Sequence, residues 1–267
     1  MIKLIASDMD GTLLDNKKEL PEDFSEVMEQ LRERNIVFAV ASGRTYSAVE
    51  YYFPKAYRDR MCFICDNGAC IVMYGKAADV SPIGRELFCE LIEACADIGG
   101  LTPVVCADSG VYHQRCDEKF FNEVGIYYKN HIAVDDLRDV KGTVYKLAIC
   151  DEDGEALTRG KVELDRRFNG RLNVLVSGVK WMDVMAADVS KGKALRALQK
   201  MLGVTKEETM AFGDYFNDVD MLLAAAWSFC MENGHDEVKR LCRYTAPDNE
   251  HSGVTASIKR YVLSGEK

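Results

Sequence analysis

Two carboxylates stand two residues apart in Asp8-Met9-Asp10-Gly11-Thr12-Leu13-Leu14, directly after a short apolar run at 2–7. A bare Asp-x-Asp is common in acidic turns. Placed immediately after a buried strand it is far more specific, because ligands of open α/β sheets bind outside the carboxyl ends of the strands. Gly11 permits a sharp turn there, and Thr12 offers a hydroxyl and an amide. A second acidic group follows another apolar run, in Gly213-Asp214-Tyr215-Phe216-Asn217-Asp218. Asn217 and Asp218 also suit the start of a helix, where they would cap exposed amides. Four acids (Asp8, Asp10, Asp214 and Asp218) converging on one sheet edge would repel one another unless a cation sat among them. Hard oxygen donors favour Mg²⁺, which keeps several waters and binds through one or two carboxylates plus a substrate phosphate.

Opposite charge comes from two further places. Ser42-Gly43-Arg44 follows a second apolar run and supplies a hydroxyl, amides and a guanidinium. Ser190-Lys191-Gly192-Lys193 opens a helical pattern. A lone lysine there is ordinarily a solvated residue, but a lysine and a helix N-terminus facing carboxylates make a phosphate site.

The elements that must position these residues alternate at both ends of the chain. Apolar runs at 2–7, 36–41 and 61–65 read as buried strands, with helices at 21–34 and 45–53 between them. Continuous apolar strands joined by helices indicate a parallel sheet. The alternation returns with a helix at 190–202, a strand at 210–213, a helix at 216–226, a strand at 227–231 and a closing helix at 251–264. Between them the texture changes: a helix at 84–98, a hairpin of 101–107 and 111–114, a strand at 143–150, a turn at 151–154, a charged helix at 155–168, and strands at 171–177 and 180–186. The expected fold class is therefore α/β, a Rossmann-like parallel-sheet core formed discontinuously by 1–81 and 187–267, with 82–186 as an inserted α+β domain.

Composition agrees with two ordinary domains. The chain has 267 residues, is 48% hydrophobic and 29% charged, and carries a net charge of −9. The negative balance argues against a nucleic-acid partner, since that affinity needs clustered Lys and Arg. No apolar run approaches the ~20 residues of a membrane span, and residues 1–7 are too short for a signal peptide. Ten cysteines in such a chain predict reduced thiols and a cytoplasmic location. Cys62 and Cys65 form a C-x-x-C, but alternation on a strand puts them on opposite faces, so both read as small buried hydrophobes. No feature sets an oligomeric state.

In order and spacing, Asp8 to Leu14, Ser42-Gly43-Arg44, Lys191-Gly192 and Gly213 to Asp218 resemble the four motifs of the haloacid dehalogenase superfamily. Asn67-Gly68-Ala69 and the position of the insert make the chain similar to its Cof-like hydrolases. The resemblance covers essentially the whole chain and implies a Mg²⁺-dependent phosphatase acting on small phosphate esters, sugar phosphates first. It implies Asp8 as nucleophile and Asp10 as general acid and base. Mg²⁺ would be held by Asp8, the backbone carbonyl of Asp10, Asp214 and Asp218. Thr12, Ser42, Gly43, Arg44, Lys191 and Asn217 would bind phosphate or substrate. The inserted domain, or cap, would read the rest of the substrate, with Ser177, Trp181 and Asp183 as candidates on its last hairpin. Tyr215 departs from the glycine that many relatives carry. A phosphomutase and a non-catalytic phosphate sensor are the alternative readings on the same motifs.

Overall fold

A computed structural model describes residues 1–264. The chain separates into two compact units, Met1–Asp79 with Ser190–Lys267, and Val80–Val189. The first stretch contributes strands β1 (Leu4–Asp8), β2 (Val37–Ala41), β3 (Cys62–Cys65), β4 (Cys70–Met73) and β5 (Lys76–Val80), and helices α1 (Phe24–Glu33), α2 (Tyr46–Val49) and α3 (Lys55–Arg58). The middle contributes α4 (Arg85–Ile98), β6 (Leu101–Ala107), β7 (Gly110–Gln114), α5 (Glu118–Tyr127), β8 (His131–Val134), β9 (Val144–Asp151), α6 (Lys161–Phe168), β10 (Leu172–Val176) and β11 (Trp181–Ala186). The last stretch adds α7 (Lys191–Leu202), β12 (Thr209–Gly213), α8 (Val219–Leu223), β13 (Trp227–Met231), α9 (Asp236–Leu241), β14 (Tyr244–Ala246) and α10 (Gly253–Ile258).

In the first unit the strands form one sheet in the order β14-β13-β12-β1-β2-β3-β4-β5. Pairing is parallel from β14 through β3, and β4 joins antiparallel. Alternation along each strand divides the two faces. Leu4 and Ala6 of β1, and Ala39 and Ala41 of β2, pack with Leu195 and Leu198 of α7 and with Met221 and Leu222 of α8. Phe38 of β2 meets Phe24 of α1 edge-on at 5.8 Å between ring centres, and Phe63 of β3 meets Phe53. β1 lies between β2, which follows it in the chain, and β12, which belongs to the returning segment. The strand order therefore reverses beside the carboxyl end of β1, where such sheets bind ligands.

The second unit is a six-stranded sheet in the order β10-β11-β9-β6-β7-β8, antiparallel except where β7 meets β8. One face packs on α4 and α6 through Phe88, Leu91, Leu164 and Phe168. The other packs Val104, Ala148 and Trp181 against Phe120 and Val124 of α5. Among the described residues no helix is long and apolar enough to cross a membrane.

The elements differ from the sequence reading in instructive places. The segment 216–226 begins as a tight 3-10 turn at Phe216–Asp218 and becomes α-helical only at Val219, because Asp218 is drawn back to cap the loop before it. β4 and β5 were not anticipated. β5 is exposed along its whole length and so carries no apolar alternation. α5, with Phe121, Ile126 and Tyr127 exposed, lacks a clean apolar stripe for the same reason.

The turn between β3 and β4 brings the chain against the start of α7. Gly68 has φ +107°, and a Cβ there would lie 2.3 Å from the Ser190 carbonyl oxygen. Gly68→Ala is expected to combine left-handed strain with that clash and to cost about 2–4 kcal/mol. Urea unfolding of the variant measures this, and an unchanged midpoint would show that the turn relaxes freely.

Candidate active site

Four loops meet at the carboxyl ends of β1, β2, β3 and β12, and backbone hydrogen bonds fasten them together. After β1, Leu13 N–H donates to the Asp8 carbonyl at 3.2 Å and Leu14 N–H to Met9 at 2.8 Å, which closes a tight loop. After β3, Asp66 N–H donates to the Arg44 carbonyl and Asn67 N–H to that of Ser42, at 2.9 and 3.0 Å. Gly11 has φ +81°, and a Cβ on it would come 2.7 Å from an Asp214 carboxylate oxygen, so glycine is what lets the first loop approach the fourth.

Lys191 lies at the centre. It occupies the first turn of α7, whose N-cap Ser190 accepts from Lys193 N–H at 3.0 Å and donates to Asp220 at 2.5 Å. The Lys191 ammonium is 1% exposed. It donates to Asp8 Oδ1 at 2.5 Å and to Asp218 Oδ1 at 2.7 Å. The other Asp218 oxygen accepts from the N–H groups of Asp214 and Tyr215 at 3.1 and 3.3 Å, shaping the loop after β12. Thr12 Oγ1 donates to Asp214 Oδ1 at 3.1 Å.

Asp8, Asp214 and Asp218 each present a carboxylate oxygen within 4.8 Å of the others. Among the described residues no other group of acids, histidines or cysteines does so. Burial pushes the Asp8 carboxyl well above its ordinary value; Lys191 pulls it down, while Asp218 and Asp214 push it further up. Burial and the neighbouring Asp218 push Asp214 up to about 6, against the opposing pull of Thr12 and Lys191. Burial alone would lower the Lys191 ammonium, but Asp218 and Asp8 outweigh it and raise it. Three crowded carboxylates stand near one ammonium, and two of them resist ionisation because they are buried and face one another. Oxygen-only donors with unmet negative charge suit a hard divalent cation.

Of the four acids, the fourth, Asp10, lies near enough to add to the rise of Asp214 but has cations of its own. Arg44 donates to its two oxygens at 2.8 and 2.7 Å, and Lys18 donates to Oδ1 at 2.9 Å. Burial pushes the Asp10 carboxyl up, but these two cations prevail and hold it below the ordinary carboxylate value. The Arg44 guanidinium is thereby engaged within the protein, with Nη1 donating to the Tyr52 hydroxyl at 2.8 Å. Ser42 is buried, and its hydroxyl accepts from Arg44 N–H at 3.1 Å. Gly43 lies against the Asn67 amide, which in turn accepts from Asn217 Nδ2 at 3.5 Å. Tyr215 is half exposed, with its ring edge-on to Phe216.

Several residues of this region carry no sequence signal. Asn233 donates to the Gly11 carbonyl at 2.8 Å and Asn249 to that of Leu14 at 3.0 Å, so both brace the first loop. They, Lys18 and Tyr52 are isolated polar residues whose role depends wholly on what the fold brings near. In the second unit, Trp181 is buried against Phe120 and Tyr127, and Asp183 pairs with Lys146 at 3.1 Å. Ser177 N–H closes the hairpin onto the Trp181 carbonyl. Cys62 and Cys65 are buried in β3, where burial pushes the Cys62 thiol up to about 12.

A buried lysine among three acids at the switch point of a parallel sheet is an arrangement suited to phosphoryl-transfer chemistry. The model of the haloacid dehalogenase-like hydrolases matches residues 5–258, and the chain belongs to that family. It is 29% identical to the 5-amino-6-(5-phospho-D-ribitylamino)uracil phosphatase YbjI of Escherichia coli, over 98% of this chain and 96% of that one. It is also 29% identical to the HMP-PP phosphatase of Klebsiella pneumoniae, over 90% of this chain and 87% of that one. Among solved structures, SMU.1108c of Streptococcus mutans superposes with a TM-score of 0.89 at 28% identity, covering 98% of this chain and all of that one.

The charge imbalance has a pH signature. A carboxyl whose value is raised by folding favours the fold while protonated, so the cation-free protein loses Asp214's contribution as the pH rises through about 6. A bound divalent cation offsets that loss. Mg²⁺ is therefore expected to raise the melting temperature more at pH ~8 than at pH ~5. Equal shifts at both values would place cation binding away from this cluster.

Proposed function

We propose that the protein is a Mg²⁺-dependent phosphatase that hydrolyses small phosphorylated metabolites through an aspartyl-phosphate on Asp8. The observation that carries this reading is the Asp8–Lys191–Asp218 contact beside Asp214. It sets a nucleophilic carboxylate next to an ammonium and to acids suited to a hard cation. The names of the two phosphatase relatives support the class. They act on different esters by name, so the substrate is proposed only as a small phosphate ester, with sugar phosphates first.

In this reading Asp8 attacks phosphorus, a bond forms from its carboxylate oxygen, and the bond to the leaving oxygen breaks. Asp10 gives that oxygen a proton, then takes one from the water that cleaves the aspartyl-phosphate. Lys191 offsets charge on the phosphoryl oxygens and helps keep Asp8 ionised. Ser42, the amides of the first loop around Thr12, the Gly43 amide and Asn217 bind the phosphoryl group or its ester. Asp8, Asp214, Asp218 and the Asp10 carbonyl would hold the cation, which supplies charge neutralisation for the phosphoryl group. Residues 82–186 serve as the cap that reads the remainder of the substrate. The thiols, the lack of a membrane-spanning helix among the described residues and the metabolite substrate support a cytoplasmic location.

Asp8→Asn is nearly isosteric and is expected to fold normally while losing several orders of magnitude in turnover. The comparison is a panel of phosphorylated metabolites with Mg²⁺, wild type beside variant. Near-normal turnover by the variant would falsify the covalent route. Asp10→Asn is expected to slow formation of the aspartyl-phosphate by roughly 10²–10⁴-fold for a sugar phosphate, whose alkoxide needs a proton to leave, and much less for nitrophenyl phosphate. Single-turnover measurement of the first step isolates this. Equal losses for the two esters would remove Asp10 from the acid role.

A further inference from the structure

We infer that Arg44, braced by Tyr52, is the positioning residue that aims the Asp10 carboxylate, and not a ligand of the substrate phosphate. The inference rests on the phosphatase reading above and adds to it a role for residues outside the metal and nucleophile cluster. Arg44 meets Asp10 with two parallel bonds, Nε to Oδ2 at 2.8 Å and Nη2 to Oδ1 at 2.7 Å. A paired fork of this kind sets the plane of a carboxylate as well as its place, which a point charge cannot do. The remaining nitrogen, Nη1, is committed to the Tyr52 hydroxyl at 2.8 Å, and the guanidinium carbon lies 5.3 Å from the centre of the Tyr52 ring. The backbone on either side of the side chain is fixed too. Arg44 N–H donates to the Ser42 hydroxyl, and its carbonyl accepts from Asp66 N–H. Each of the three nitrogens thus has a protein partner, which uses three of the five N–H donors and braces the group from strand end to ring.

The arrangement also distinguishes the two Asp10 oxygens. Oδ1 accepts from both Arg44 and Lys18, which uses its two lone pairs. Oδ2 accepts from Arg44 Nε alone, so one lone pair remains for a proton travelling to or from a substrate oxygen. Arg44 and Lys18 together select Oδ2 as the working atom and turn it to a constant direction. Lys18 is half exposed, on the loop that follows the first motif, and Arg44 is the better buried of the two. Arg44 therefore carries most of the orientation.

A positioning residue acts through the residue it positions, and this separates it from a substrate anchor. Arg44→Gln, Arg44→Lys and Tyr52→Phe are to be compared with wild type in single-turnover formation of the aspartyl-phosphate, using a sugar phosphate and nitrophenyl phosphate. Arg44→Gln is expected to lose about tenfold or more on the sugar phosphate and far less on nitrophenyl phosphate, as loss of general-acid help requires. Arg44→Lys keeps the charge but not the fork and is expected to recover only part of that loss, while Tyr52→Phe shows a smaller loss with the same preference. Added to Asp10→Asn, Arg44→Gln should cost almost nothing more on the sugar phosphate, because the group it aims is already disabled. A raised KM with unchanged kcat, losses equal for the two esters, or a full additive penalty on top of Asp10→Asn would each overturn the inference and return Arg44 to substrate binding or to simple structure. A wild-type protein that turns over neither ester, with the Asp8→Asn variant indistinguishable from it, removes the phosphatase reading itself. Tyr52→Phe and Arg44→Lys keep the comparison decisive where Arg44→Gln fails to fold.

Discussion

The buried ammonium of Lys191 is the contact on which the site depends. An amine at 1% exposure sits between two carboxylates at 2.5 and 2.7 Å. Removing a charge from water costs several kcal/mol, and only close partners return it. The pair is therefore no simple source of stability: its loss on one side would strand a buried charge on the other. It forces a geometric agreement instead. Asp8 ends β1, Asp218 caps the loop after β12, and Lys191 opens α7, so three separate elements must arrive within a few ångströms. The parallel pairing of β1 with β12 and the packing of α7 on the same sheet face make that possible.

The loops around this contact are held by the backbone and by small amides more than by apolar packing. Ser42 and Arg44 offer carbonyls to the turn after β3, and Asn233 and Asn249 reach back to the carbonyls of Gly11 and Leu14. Such bonds satisfy groups that a loop over a sheet edge would otherwise leave unpaired. They also leave the amides of the first loop directed by the fold and not by solvent, the form of preorganisation that phosphoryl chemistry draws upon.

Charge is distributed unevenly, and that unevenness divides the acids into two electrostatic surroundings. Burial, and then the neighbouring carboxylates, push Asp8 and Asp214 upward against the pull of the single lysine, and the cluster suits a cation. Asp10, two residues from Asp8, is met by two cations, which hold its carboxyl below the ordinary carboxylate value. Neighbours in sequence thus sit in different electrostatic surroundings, Asp8 against Lys191 and Asp10 against Arg44 and Lys18. A cluster of like charges at a sheet edge is a cost to folding that a bound cation would offset.

The local pattern alone settled much of this protein. Apolar runs at 2–7, 36–41 and 61–65, each ending in polar residues, specified parallel strands and put Asp8, Ser42 and Asn67 at strand ends, because a strand buried on both faces must be continuously apolar. The same rule placed Asp214 and Asp218. What those patterns could not carry was partnership across the chain. Asp10 and Arg44 are 34 residues apart, Asn249 and Leu14 are 235 apart, and neither pair leaves a mark on hydropathy or spacing. Residue type and order say that a carboxylate reaches a sheet edge, but not which cation meets it there: Lys191 for Asp8, Arg44 and Lys18 for Asp10. β5 and α5 were hidden by exposure, since periodicity reports burial and these elements bury little. Strand ends are decided locally by hydrophobicity; the pairing of charges is decided only when the tertiary fold sets distances, because electrostatic partnership depends on separation in space.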